Sequence, residues 1–160
     1  MKKHIIISSL FWLLGVSGLF SQDFSEVNTL IREGKLEEAR TAVNRTAEED
    51  PARALFFTAL LTHDVEKSTE LYRTLIHDYP KYEYYPFARY RLAQLDYARG
   101  LYDAAVKQFR HIAQTYPQFH YSQRCLYWAG QSYLALNKAD SAFIMFRQAA
   151  TAPSSFGEMA

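Results

Sequence analysis

Sliding the chain along itself by 37 residues brings its second half into register, and this period limits the fold more than any other feature of the sequence. Tyr79-Pro80 falls on Tyr116-Pro117, Tyr82 on Phe119, Tyr84 on Tyr121, Tyr90 on Tyr127, Gln94 on Gln131, Ala105 on Ala142 and Phe109 on Phe146. Within a unit, apolar residues recur at steps of three and four, as in Leu92 and Leu95 and then Ala105, Phe109 and Ile112. That is the spacing of one helix face, so each unit reads as a pair of amphipathic helices. The chain is therefore expected to be all-α, an α-solenoid of antiparallel helix pairs.

The turn inside each pair supports the same division. A helix that stops sharply needs a residue tolerant of positive φ at its C-terminal cap, and Gly34, Gly100 and Asn137 stand there in three units, with His63 and Asp64 in the fourth. Five residues past each turn comes a small side chain, Ala39, Ser68, Ala105 or Ala142, which lets the second helix approach the first. One helical turn later comes a bulkier one, Val43, Tyr72, Phe109 or Phe146, to fill the gap between successive pairs. Pro51, Pro80 and Pro117 are expected to end second helices, because proline disfavours helical geometry in the residue before it. Only 29 residues separate Pro51 from Pro80, so the first helix of that unit, around Ala52–Thr62, is expected to be short.

This pattern resembles the tetratricopeptide repeat family, best in Leu92-Ala93, Gly100, Tyr102, Ala105, Phe109 and Pro117, and again in Gly130, Tyr133, Ala142, Phe146 and Ala149. The long unit and its Tyr-Pro boundary look like bacterial envelope members, of the TolA-binding cell-division coordinator and outer-membrane assembly lipoprotein types. On that resemblance the chain divides into a leader (1–21), repeats at 22–53, 54–80 (divergent), 81–117 and 118–154, and the start of a further helix at 155–160. The resemblance implies a right-handed superhelix whose first helices line a concave groove, and places Tyr90, Gln94, Tyr97, Tyr127, Gln131 and Leu134 on that face. Aromatic rings there bring large contact area at low rotamer cost, and an amide beside them can pair with an extended backbone. The implied function is a non-catalytic adaptor for another envelope protein or an extended peptide, in outer-membrane assembly or cell-division coordination. The alternatives are a self-associating structural protein, or a non-catalytic module of a longer envelope or peptidoglycan-associated protein.

Met1 to Ser21 reads as a secretory leader, with Lys2 and Lys3 ahead of an apolar stretch from Ile5 to Phe20. Sixteen residues diluted by serine and glycine fall short of the ~20 that span a bilayer, so the leader is expected to be cleaved rather than retained as an anchor. The expected destination is the periplasm of a Gram-negative bacterium. Loss of the two lysines turns a formal charge of +1 into −1, and no basic run exists to neutralise phosphates, so nucleic acid is not an expected partner. Arg89, Arg91, Arg99, Lys107, Arg110 and Arg124 sit around the two best-matched units and would favour a carboxylate-bearing peptide if they face the groove.

Residues for chemistry are missing. The histidines never fall at metal-ligand spacing, the glycines are isolated, and neighbouring carboxylates such as Glu37-Glu38 diverge around a helix. Cys125 is the lone cysteine; it matches Ala88 in the repeat register and reads as a small core residue rather than a nucleophile. No enzyme activity, cofactor or metal is expected. Ser155-Phe156-Gly157-Glu158 has the form of a capping box, and Phe156 stands 37 residues after Phe119, as if another unit were beginning. An uncovered last helix is expected to leave Phe143 or Phe146 exposed and open to self-association.

Overall fold

The computed structural model describes residues 25–151, so the leader and residues 155–160 lie outside the described residues. All regular structure in the described residues is helical: α1 (25–32), α2 (Leu36–Thr46), α3 (Pro51–Leu61), α4 (Val65–Asp78), α5 (Tyr85–Ala98), α6 (Tyr102–Thr115), α7 (Ser122–Ala135) and α8 (Ala139–Thr151). Contacts gather the chain into two compact units that divide after Leu61.

In the first unit, Gly34 has φ +75°; its N–H donates to Ile31 at 3.1 Å, and the N–H of Lys35 donates to Leu30 at 2.9 Å. This closing geometry satisfies carbonyls that would otherwise face solvent, and it turns α1 back onto α2. Val27, Ala39, Ala42 and Val43 are buried. Beyond α2 the sequence expectation needs correction at Pro51. That proline does not end α2, which stops at Thr46; it opens α3. Its missing N–H costs nothing in a first turn, and Asp50 caps the same turn by accepting from the N–H of Arg53 at 3.0 Å. The other end of α3 is held by Arg40, whose guanidinium donates to the Leu61 carbonyl at 2.7 Å. With 11 residues against 14 in α5 and α7, α3 is short, as its spacing suggests.

A second correction concerns the turn at the head of the other unit. His63 and Asp64 do not adopt positive φ; Asp64, at φ −73°, is the N-cap of α4, accepting from the N–H of Lys67 at 3.1 Å. From Tyr85 onward the period becomes geometry. The bounds of α5 lie 37 residues before those of α7, and α6 begins 37 residues before α8. Gly100 (φ +76°) and Asn137 (φ +58°) close their helices with the same pair of bonds as Gly34. Between repeats, Tyr82 N–H donates to Tyr79 across Pro80, and Phe119 N–H donates to Tyr116 across Pro117, at 3.1 and 3.0 Å. These are β-turns with proline preset at the second position.

The small positions sit where the helices touch: Ala39, Ala105 and Ala142 are fully buried and Ser68 nearly so. Around Ala93, Ala105, Phe109, Ile112, Cys125 and Ala129 one continuous apolar core joins α5, α6 and α7. The aromatic residues of the α6–α7 connection close it. Phe119 meets Phe87 edge-on at 4.7 Å, and Tyr121 stacks on Tyr90 at 4.9 Å with 20° between the planes.

Candidate protein-binding face

Among the six residues expected to form a recognition row, the structure separates one from the rest. Tyr90 is 5% exposed and lies in the core, between Phe109 at 6.0 Å and the stacked ring of Tyr121. Burial pushes its phenol above the ordinary tyrosine range. The physical reason is that the connection leading into the next repeat folds over it, so its ring is packing rather than recognition surface.

The other five reach the surface along α5 and α7. Gln94 is half-buried and accepts from the guanidinium of Arg91 at 3.1 Å. Tyr97 is half-buried and turns its ring edge-on to Tyr102 at 5.3 Å and to Trp128 at 5.1 Å. On α7, Tyr127 is 48% exposed and Leu134 is 46% exposed. Gln131 lies between them, donating from Nε2 to the Tyr127 hydroxyl at 3.0 Å. That bond fixes both side chains while leaving the amide oxygen of Gln131 to accept and the phenol of Tyr127 to donate, the two functions an extended peptide backbone requires.

Trp128 unites the two helices, and the sequence reading did not single it out. Its ring contacts Tyr97 of α5, runs nearly parallel to Phe109 of α6 at 6.5 Å, and meets Tyr127 at 5.9 Å. Tyr127 in turn contacts Phe146 of α8 at 5.7 Å. A chain of rings thus runs from Tyr102 to Phe146, anchoring the exposed groups on a rigid base. The signal in the sequence was a tryptophan one residue after a row position; a period-based comparison overlooks it because its equivalent is Arg91.

Most of the cations suspected of lining the face have internal work. Arg99 pairs with Glu66 at 2.9 Å, Arg89 donates to the Tyr85 hydroxyl at 2.7 Å and to Gln108, and Arg110 donates to the Tyr133 hydroxyl at 3.2 Å. Arg124 lies over the Tyr121 ring at 5.3 Å. Cys125 is wholly buried, and desolvation pushes its thiol up to about 12, so no thiolate is available at neutral pH. Among the described residues no group of histidine, cysteine and carboxylate side chains could hold a metal ion, and no helix is long and apolar enough to cross a membrane.

At the far end of the unit, Gln123, Arg124, Tyr127, Phe146, Ala149 and Ala150 line an open groove of about 450 Å³. Beside it α8 exposes Phe143 (65%) and Ile144.

The tetratricopeptide repeat family model matches two segments, residues 87–118 and 124–155. Their starts and ends are each 37 residues apart, so the match has the chain's own period. Two crystal structures of MamA resemble the chain at 17% identity. One has a TM-score of 0.64 over 81% of this chain and 70% of the MamA chain; the other has 0.66 over 81% and 75%. This likeness is one of fold: an all-α repeat array. No curated protein sequence matches the chain.

Proposed function

We propose that the chain is a non-catalytic tetratricopeptide-type scaffold that binds an extended segment of another protein along the exposed face of α5 and α7. The observation that carries this reading is the juxtaposition of Tyr127, Gln131 and Leu134 with Tyr97 through Trp128. Apolar contact, a free donor and a free acceptor lie on one rigid surface, the composition of an interface hot spot. The family match supports a protein-binding role, and the four-repeat division drawn from the sequence belongs to the same proposal. The leader-like Met1–Ser21 supports export and a place in the bacterial envelope, with outer-membrane assembly and cell-division coordination as the fitting processes.

The test is capture of envelope proteins by the mature chain and by a Gln131→Ala, Leu134→Ala variant, with helicity monitored by circular dichroism. Loss of a specific partner at unchanged helicity supports the face; equal capture by both chains removes it. A second reading rests on the exposed Phe143 and Ile144 of α8: self-assembly through that apolar strip. Sedimentation that shifts with concentration in the natural chain, and stays monomeric in Phe143→Glu, would favour assembly over a monomeric adaptor.

A further inference from the structure

The outer side of α8 departs from that of α6 in a consistent way. Counted back by 37 residues, Asp140, Phe143, Ile144 and Arg147 correspond to Asp103, Val106, Lys107 and Arg110. On α6 both charges reach the helix pair that follows: Asp103 pairs with Lys138 at 3.4 Å, and Arg110 donates to the Tyr133 hydroxyl at 3.2 Å. Val106 is buried, and Lys107 faces solvent. On α8, neither Asp140 nor Arg147 has a hydrogen bond or ion pair among the described residues, and Phe143 and Ile144 are both exposed. An isoleucine standing where the repeat has a solvated lysine argues for a surface that is covered.

The order of the charges says what covers it. Asp140 and Arg147 are seven residues apart, about two turns, and so share a face of α8, while Ala142, Met145 and Ala149 hold the opposite side in the core. Phe143 and Ile144 form the middle of the strip, each three residues in from the nearer charge. A strip that reads acid, apolar, apolar, base is complementary to itself when turned end for end. A two-fold axis between Phe143 and Ile144 sets each Asp140 against the partner's Arg147 and brings the apolar side chains together. A parallel copy would oppose like charges.

We propose that two copies of the chain pair through α8, antiparallel about a two-fold axis, with Phe143 and Ile144 at the centre and an Asp140–Arg147 ion pair at each end. The inference rests on the self-assembly reading above and gives it a geometry. Because the same patch serves both copies, the contact closes at a dimer and does not propagate. One helix on each side is at the small end of specific interfaces, so the dimer should be reversible. Tyr127, Gln131 and Leu134 take no part in the pairing; the dimer therefore carries two recognition faces and gains avidity for a partner with two segments.

Sedimentation of the mature chain across a concentration series tests the pairing, with circular dichroism as the check on folding. The natural chain should pass from monomer to dimer and no further. Asp140→Arg and Arg147→Asp each put like charges at both ends of the interface, and each should raise the dissociation constant by on the order of tenfold or more. An equimolar mixture of these two variants restores opposite charges at both ends and should dimerise about as well as the natural chain, as should the chain carrying both changes. If Phe143→Glu abolishes dimers while the mixture stays dissociated, assembly through the strip stands and the antiparallel pairing falls. A natural chain that stays monomeric throughout overturns both and leaves the strip to a different protein. Species larger than a dimer overturn the two-fold closure.

Discussion

Replacing Gly130 by alanine should weaken this protein, although alanine is the better helix former. Gly130 lies inside α7 against α8, and a β-carbon there would fall 2.5, 2.8 and 2.9 Å from Cε1, Cδ1 and Cζ of Phe146. Helix propensity alone would favour alanine by about 1 kcal/mol. Overpacking costs about 1–3 kcal/mol, and the ring has the end groove to turn toward, so a figure near 2 is reasonable. The net is a loss of about 1 kcal/mol. In a Phe146→Ala background the obstruction is gone and the same substitution should stabilise by about 1 kcal/mol, a reversal of sign with a coupling near 2 kcal/mol. Trp128, two residues before Gly130 and in ring contact with Tyr127, reports the local transition by fluorescence in urea, with circular dichroism following the helices. The repeat supplies its own reference, for the equivalent of Gly130 is Ala93, buried beside Phe109. If Gly130→Ala shifts stability by the same amount and sign with and without Phe146, the close approach of α7 and α8 at this point is wrongly understood.

Three further outcomes are expected. Asp96 is buried with Oδ1 unpartnered, and desolvation holds its carboxyl above the usual range despite the pull of Arg73 and Arg99. Folding thus favours the protonated form: its stabilising effect is complete below the ordinary carboxylate pKa and is lost as pH rises through the raised folded value. Asp96→Asn should therefore stabilise at neutral pH by about 1 kcal/mol or more, with the advantage shrinking on acidification in thermal melts across pH. Gly100→Ala should cost about 1 kcal/mol in chemical denaturation, because nothing obstructs a β-carbon there and only the positive φ penalises it. Tyr90→Ala should cost about 3 kcal/mol or more as a cavity in the core, whereas Tyr127→Ala should cost well under half of that; equal losses would mean the two rings share one environment.

The features legible in the sequence were those fixed by local stereochemistry. Gly34, Gly100 and Asn137 had to be cap residues because a sharp helix end needs positive φ, and Ala105 and Ala142 had to be buried because only a small side chain fits where two helices touch. Local rules failed where one residue type serves two opposite ends. Proline stops a helix behind it and starts one ahead of it, and at Pro51 a capping Asp50 one residue earlier is the sign that it starts one. Aspartate similarly tolerates a left-handed cap and excels as an N-cap. At Asp64 the amide waiting three residues later decided the matter.

Which rings meet a partner depends on a different kind of information. Tyr90 and Tyr127 are equivalent by sequence period, by place on the helix and by their contact with Phe109 or Phe146, yet their exposures are 5% and 48%. A repeat array is periodic only inside; the surface a residue keeps is set by the layer laid over it, and that layer comes from the repeat that follows. Phe119 and Tyr121 convert Tyr90 into core, so the same amino acid in the same register serves stability in one unit and lies open in the next. Recognition residues in such a chain must therefore be sought where a position escapes its successor's cover. Gln131 and Leu134 meet that condition, the one half-buried and the other 46% exposed.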